Sequence, residues 1–151
     1  MENKKSFFPL FIDLTDKNCL VVGGGNIALR KVKNLVEYGA KVLVIAPAVL
    51  PEILELNVKV EKRGFEIEDI NGKFLVVAAT DNESLNKTIV DVCEDKNILV
   101  NNITSKTYMS ARFTAHIDDE NYQIAISAKG KPKESVKLKK DIIEYLKNKK
   151  D

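Results

Sequence analysis

Apolar residues in the first hundred positions form short runs that alternate with segments of helical periodicity. The runs predict five buried strands, near residues 18–22, 41–46, 58–62, 74–79 and 98–101. Helical spacing predicts a helix over residues 27–38, which Gly39 ends, and a second helix over residues 84–96. Apolar strands separated by helices are typical of a parallel sheet covered on both faces, so we predict a doubly wound α/β domain.

The pattern changes after Asn102. It predicts a strand over residues 112–117, a polar turn over 118–121 and a second strand over 122–127. A basic helix over residues 134–147 follows. Because a hairpin and one helix are too small to fold alone, we interpret them as a dimerisation element that packs on the first domain or on a second subunit. The predicted domains are therefore residues 1–102 and residues 103–151.

A glycine-rich turn follows the first strand and opens the first helix. Residues 23–28, GGGNIA, fit the pattern G-x-G-x-x-A. In this pattern Gly23 permits a tight turn, Gly25 lets the backbone approach a pyrophosphate, and Ala28 allows close packing of the helix on the strand. The context of strand, turn, helix and strand predicts dinucleotide binding on a Rossmann-type domain; the alternative is a tight turn that binds nothing.

The acidic residue that normally holds the adenosine ribose is missing. No Asp or Glu occurs between Glu37 and Glu52, and the second strand runs into Pro47 and Ala48. Backbone groups or a residue elsewhere must then hold the ribose, and the choice between NAD and NADP stays open. Thr80, after the fourth strand, is a candidate contact for the nicotinamide half of the cofactor, although Thr80 or Asp81 could instead cap the next helix.

Composition narrows the class of protein. Of 151 residues, 44% are hydrophobic and 30% charged, with a formal net charge of +2, as in ordinary globular proteins. No apolar run approaches the roughly 20 residues of a membrane-spanning helix, and the first residues do not resemble a signal peptide, so we expect a cytoplasmic protein without a membrane partner. Two cysteines, Cys19 and Cys93, and a single histidine, His116, predict no metal site.

Basic residues are concentrated at the end of the chain. Residues 101–151 carry 11 Lys and Arg against 7 Asp and Glu, whereas residues 1–100 carry 13 against 15. This excess is either a solvated tail or a surface that attracts an anion. Most of the excess lies in residues 129–140, which contain no interleaved aromatic residue, so we do not expect nucleic acid as a partner.

Five segments together resemble the precorrin-2 dehydrogenase family, which also forms the N-terminal module of siroheme synthase. They are residues 7–14 (FFPLFIDL), 19–47 (CLVVGGGNIALRKVKNLVEYGAKVLVIAP), 74–86 (FLVVAATDNESLN), 98–102 (ILVNN) and 124–131 (IAISAKGK). The resemblance implies an NAD-dependent dehydrogenase that oxidises precorrin-2 to sirohydrochlorin on the route to siroheme. It also implies a Rossmann domain with a dimerisation region, and hence a homodimer.

Particular residues acquire roles from the resemblance. By position, Asn26, Ile27, Pro47 and Ala48 correspond to cofactor contacts, which join the candidates Gly23, Gly25 and Thr80. The tetrapyrrole substrate is a polyanion, so basic residues of the second domain are candidates for binding it, namely Arg112, Lys129 and Lys131.

One position departs from the family. The family carries an aspartate shortly after the fifth strand, implicated in dehydrogenation and in metal chelation, where this chain has Thr104. A threonine cannot act as a general base near pH 7, so we expect no ferrochelatase activity and assign no catalytic residue. We also expect the family's helical C-terminal domain to be largely absent. The alternative function is a non-catalytic module that binds NAD or a tetrapyrrole; a transporter regulatory domain and an interaction protein are further alternatives.

Overall fold

The computed structural model describes residues 5–149, so the outermost residues of both predicted domains lie outside the described range. The main sheet consists of β1 (Asn18–Val22), β2 (Lys41–Ile45), β3 (Lys59–Glu61), β4 (Leu75–Ala78) and β5 (Leu99–Asn102). All neighbouring pairs are parallel, and the spatial order is β3-β2-β1-β4-β5. The order reverses between β1 and β4, where such sheets open a crevice at the carboxyl ends of the strands.

Helices cover both faces of this sheet. They are α1 (Asn26–Glu37), α2 (Pro51–Leu54), a 3₁₀ helix (Ile67–Ile70) and α3 (Glu83–Asp95). Helix α1 connects β1 to β2, and α3 connects β4 to β5, in the opposite direction across the sheet. Because such crossovers are right-handed, the two helices lie on opposite faces. On the α3 face, Ile89, Val90 and Cys93 pack against β4 and β5 through Val76 and Val100. The predicted doubly wound, Rossmann-type α/β fold is confirmed, and the 3₁₀ helix is an element that the sequence pattern does not predict.

A hairpin and a long helix form the end of the chain, as predicted. Strands β6 (Ala115–Asp118) and β7 (Gln123–Ile126) pair antiparallel, and α4 (Pro132–Lys149) follows. The Asp119 carboxylate accepts the N–H groups of Asn121 and Tyr122 at 2.8 and 2.7 Å, which fixes the hairpin turn. No helix within residues 5–149 is long and apolar enough to cross a membrane.

The chain divides into two compact units between Ala111 and Arg112, rather than after Asn102. The N–H groups of Ser110 and Ala111 both donate to the Val100 carbonyl at 3.0 Å, so the chain returns to β5 before it leaves the first unit. These are bonds between backbone groups, which leave no trace in the pattern of side chains. The function assigned to each domain remains a prediction.

Helix α3 starts from an asparagine cap. The Asn82 Oδ1 accepts the Leu85 N–H at 3.0 Å, whereas Asp81 is exposed and precedes the cap. The expectation that Thr80 or Asp81 caps this helix is therefore wrong. The cap lies one residue later because the chain is still extended at Asn82, with φ −96° and ψ 102°.

We predict that Asn82→Ala lowers the free energy of unfolding by about 1 kcal/mol, because a helix N–H loses its acceptor. The matched variant Asp81→Asn should leave stability nearly unchanged. Urea unfolding of both variants, followed by circular dichroism, measures the difference. Equal losses in the two variants would contradict the assignment of the cap.

Candidate functional site

Four loops meet at one edge of the parallel sheet. They follow the carboxyl ends of β1, β2, β4 and β5, as residues 23–25, 46–48, 79–82 and 102–104. Because parallel strands all end at the same edge, these loops surround the crevice at the reversal between β1 and β4. The predicted cofactor residues all lie on three of these loops and on the first turn of α1.

Gly23 is held in close contact with the loop after β4. Its φ is +134°, and a Cβ placed there would lie 2.2 Å from the Ala79 carbonyl oxygen. The Ala79 N–H donates to the Val22 carbonyl at 2.8 Å, so backbone pairing between β1 and β4 fixes this approach. Only glycine fits both the dihedral and the space, which agrees with the tight turn expected at this position.

Gly24 is constrained equally tightly, which the motif does not predict. A Cβ on Gly24 would lie 2.1 Å from the Ala48 carbonyl oxygen. The Leu50 N–H donates to the Gly24 carbonyl at 2.9 Å, so the turn after β2 is fastened to the glycine turn. Pro47 and Ala48 are exposed on this turn, beside the glycines. The pattern G-x-G allows any residue at the position of Gly24. In this structure, the absence of a side chain at Gly24 allows the turn after β1 to lie against the turn after β2.

Gly25 faces open space, unlike its two neighbours. A Cβ there meets no heavy atom within 4 Å, and Gly25 is the N-cap of α1 with no side chain capping the helix. Asn26 and Ile27, in the first turn, are exposed, and this turn carries no acidic residue. Free N–H groups at the positive end of a helix dipole, with room above them, fit the pyrophosphate of a dinucleotide.

Thr80 lies half-buried at the end of β4. Its hydroxyl donates to the Asn86 Oδ1 at 2.6 Å, and the Asn82 N–H donates back to the Thr80 Oγ1 at 3.2 Å. The Thr80 backbone nitrogen also borders the glycine turn, 3.2 Å from the Cβ position of Gly23. Thr80 therefore lies at the crevice, and its contact with a cofactor remains a prediction.

Thr104 is the centre of a second set of hydrogen bonds. Its hydroxyl donates to the Asn102 Oδ1 at 2.9 Å and accepts from the Asn86 Nδ2 at 3.3 Å. The Thr104 N–H also donates to the Asn102 Oδ1, at 3.0 Å. Thr104 therefore offers neither a carboxylate nor an unused hydroxyl hydrogen where the resemblance expects an aspartate.

Thr104 also lines an open cleft of about 520 Å³ between α3 and the segment after β5. The cleft residues are Glu83, Ser84, Lys87, Asn102, Thr104, Ser105 and Tyr108. Two of these residues share a partner outside the cleft: the Tyr108 hydroxyl and the Lys87 ammonium both donate to the Asp91 carboxylate. These two bonds lower the pKa of Asp91, the Tyr108 bond more strongly, so this carboxylate stays ionised. Glu83 is the carboxylate among the residues that line the cleft.

The candidate substrate residues lie in the second unit. Lys129 and Lys131 are exposed on the turn before α4, and Arg112 begins the unit. The Lys129 φ of +54° and the bond from the Lys131 N–H to the Ala128 carbonyl define the shape of this turn. The first unit thus carries the cofactor candidates and the second unit carries the basic candidates.

Neither cysteine has the properties of a reactive group. Cys19 and Cys93 are both buried, and burial raises the pKa of the Cys19 thiol to about 11 and that of Cys93 to about 12. Both are therefore protonated, apolar core side chains at neutral pH. Within residues 5–149, no three His, Cys, Asp or Glu side chains are grouped so that they could hold a metal ion.

The fold and the glycine turn define a Rossmann-type domain for a nicotinamide dinucleotide. An NAD(P)-binding family model matches residues 10–115. The chain is 41% identical over 128 residues to a siroheme synthase of Thioalkalivibrio sulfidiphilus, covering 82% of this chain and 26% of that protein. It is 35% identical over 145 residues to a siroheme synthase of Actinobacillus pleuropneumoniae serotype 3, covering 93% and 30%.

Among solved structures, SirC, a precorrin-2 dehydrogenase, matches with a TM-score of 0.80 and 30% identity, covering 92% of this chain and 71% of SirC. The chain belongs to the precorrin-2 dehydrogenase family, as the resemblance in its sequence indicates. It spans between a quarter and a third of the length of the siroheme synthases that it matches.

We predict that Gly25→Ser and Gly24→Ala have opposite effects. Serine is a good N-cap, so Gly25→Ser should keep or raise the melting temperature. Its side chain would fill the space above the helix N-terminus and occupy the N–H groups there, so the affinity for NAD should fall at least about tenfold.

Gly24→Ala instead places a methyl group against backbone atoms and should lower the free energy of unfolding by about 2 kcal/mol. Calorimetric titration with NAD and thermal unfolding of each variant measure both effects. Normal NAD affinity in Gly25→Ser would contradict pyrophosphate binding at this turn.

Proposed function

We propose that this protein catalyses the NAD-dependent dehydrogenation of precorrin-2 to sirohydrochlorin in siroheme biosynthesis. The observation that carries the proposal is the match to SirC over 92% of the chain at a TM-score of 0.80. The open glycine turn supports it, because the chain keeps the groups that a dinucleotide needs. We place the protein in the cytoplasm, where its cofactor and its substrate are available.

The first unit holds the cofactor. Backbone N–H groups of residues 25–27 bind the pyrophosphate, and the turn at Pro47 and Ala48 supports the adenosine ribose through its backbone, since no acidic side chain stands there. Thr80 lies on the side of the crevice that the nicotinamide half would occupy. When bound, NAD supplies the hydride acceptor.

The surroundings of Arg63 favour NAD over NADP. NADP needs a cation for its 2′-phosphate, and Arg63 follows β3, beside the carboxyl end of β2. Its guanidinium donates to the Glu61 carboxylate at 2.6 and 2.9 Å, and to the Asp69 carboxylate at 2.7 and 2.9 Å. Arg63 lowers the pKa of Asp69, so both partners stay charged at neutral pH. This arginine is therefore committed to two carboxylates that would also repel a phosphate.

Oxidation of the substrate also releases a proton, which Thr104 cannot accept. Its hydroxyl already donates to Asn102, and a threonine is not a base near pH 7. The proton leaves to water or to a carboxylate, such as Glu83 in the cleft, Asp118 or Asp119. The same lack of a carboxylate at position 104 argues against ferrochelatase activity, because metal insertion needs an acceptor for the pyrrole protons.

The second unit binds the substrate and joins two subunits. Arg112, Lys129 and Lys131 attract the carboxylates of the tetrapyrrole. Helix α4 exposes Val136, Leu138 and Tyr145, with exposed fractions of 47, 49 and 64%, and the two-stranded sheet has open edges. A second copy of the chain would cover these exposed apolar side chains and these edges, which supports a homodimer. We assign no nucleic acid or membrane partner.

An anaerobic turnover assay tests the proposed function. Purified protein is mixed with freshly generated precorrin-2 and NAD, and the absorbance of sirohydrochlorin and of NADH is followed against a protein-free control. We expect product at a rate above the spontaneous one, with NADP a poorer oxidant than NAD. No product above the control, with NAD bound, would overturn the dehydrogenase.

The second candidate function is a non-catalytic module that binds NAD or a tetrapyrrole. The observation that favours it is the environment of Thr104, whose hydroxyl is engaged by Asn102 and Asn86 where the family has a carboxylate. Cofactor binding without turnover in the same assay would establish this alternative.

We predict that the double variant Lys129→Gln, Lys131→Gln raises the KM for precorrin-2 several-fold at low salt, because it removes two charges that attract a polyanion. The affinity for NAD should not change. The matched control is Lys137→Gln, Lys140→Gln on α4, which changes the net charge equally and should leave the KM within about twofold of wild type. A KM that responds equally in both double variants would assign the effect to net charge rather than to this turn.

A further inference from the structure

Asn86 is the polar side chain that joins two loops of the crevice. It lies in the second turn of α3 and is 0% exposed. Its Oδ1 accepts from the Thr80 Oγ1 at 2.6 Å and from the Thr80 N–H at 3.3 Å. Its Nδ2 donates to the Thr80 carbonyl at 2.9 Å and to the Thr104 Oγ1 at 3.3 Å.

A carboxamide suits this position because it can donate twice and accept twice. All four of these capacities are used, and none goes to a group outside the two loops. A buried leucine would remove the side-chain partner of the Thr80 N–H and of the Thr80 carbonyl, and an aspartate could not donate to the Thr80 carbonyl or to Thr104.

The Thr80 hydroxyl has two acceptors within the start of α3. Its hydrogen points to the Asn86 Oδ1 at 2.6 Å, in preference to the Asn82 carbonyl at 3.1 Å, because the shorter contact is the stronger one and an amide oxygen only accepts. The Asn82 N–H occupies one lone pair of the Thr80 oxygen. What Thr80 offers to a ligand in the crevice is therefore an acceptor and not a donor.

We propose that Asn86 is a positioning residue that makes the Thr80 hydroxyl an acceptor for the carboxamide N–H of the nicotinamide, while it holds the Thr104 loop against the same helix. The proposal rests on the dinucleotide-binding part of the proposed function. It explains why a buried amide stands on a helix face that is otherwise apolar, beside Ile89, Val90 and Cys93. It also gives the crevice a preference for ligands that donate at this point.

The test compares three ligands by calorimetric titration. NAD carries the carboxamide donor, the 3-acetylpyridine analogue of NAD has a methyl group in place of the amide nitrogen, and ADP-ribose lacks the nicotinamide ring. Wild-type protein should bind NAD about three- to tenfold more tightly than the analogue, as expected for one hydrogen bond. Thr80→Val should remove this preference, and Asn86→Leu should reduce it, because only the longer bond to the Asn82 carbonyl then holds the Thr80 hydroxyl. Both variants should leave the affinity for ADP-ribose within about twofold of wild type.

Two variants make the comparison specific. Thr80→Ser keeps the hydroxyl and should retain the preference for NAD. Thr88→Val alters a threonine on the exposed side of α3, whose hydroxyl donates to the Ser84 carbonyl at 3.2 Å, and should also retain it. If Asn86→Leu does not fold, Asn86→Ala takes its place, because it removes the same hydrogen bonds without adding bulk.

Three outcomes would overturn the proposal. In the first, wild-type protein binds NAD and the analogue equally. In the second, folded Thr80→Val keeps the wild-type preference. In the third, the Thr80 and Asn86 variants lose as much affinity for ADP-ribose as for NAD, which would mean that the two side chains only support the fold. The turnover assay is independent of this result: a preference for NAD without turnover refutes the dehydrogenase and leaves the positioning role intact, whereas no binding of NAD or ADP-ribose refutes both.

Discussion

The site depends on the close approach between the turn after β1 and the loop after β4. The Cβ position of Gly23 lies 2.2 Å from the Ala79 carbonyl oxygen, a distance that no side chain can occupy. Parallel pairing of β1 with β4 brings these backbones together, and the reversal of strand order at the same place leaves the crevice open above them. A second close contact, at Gly24, adds the turn after β2. Three loops are therefore fixed to one another by backbone contact before any ligand binds.

Uncharged groups lie next to these close contacts. Glycine N–H groups, Thr80 and Asn86 are found next to the close contacts, whereas Arg63 is neutralised by Glu61 and Asp69. Lys129 and Lys131 belong to the second unit. This division is consistent with a cofactor recognised by backbone and amide groups and a polyanionic substrate attracted by basic side chains.

The sequence predicts the sheet, the glycine turn and the hairpin because each has a local pattern. Buried parallel strands appear as apolar runs, and the turn has glycines at fixed spacing. Contacts between loops distant in sequence could not be predicted. Gly24 occupies a variable position of its motif, and its constraint comes from Ala48. Asn86 looks like an ordinary polar helix residue, and only the fold places it between Thr80 and Thr104. The cap lies at Asn82 for a local reason, because the backbone is still extended at that residue. The unit boundary lies at Ala111 because backbone bonds hold residues 110 and 111 to Val100, and such bonds leave no trace in the pattern of side chains.

The most direct test of the account is an NMR titration of ¹⁵N-labelled protein with NAD, because it locates the ligand on the chain without requiring turnover. We expect the largest changes in amide shift at Gly25, Asn26 and Ile27, with further changes at Ala48 and Thr80. Saturable changes confined to other residues, with these five amides unmoved, would contradict the claim that the fixed loops at the β1–β4 reversal form the dinucleotide site.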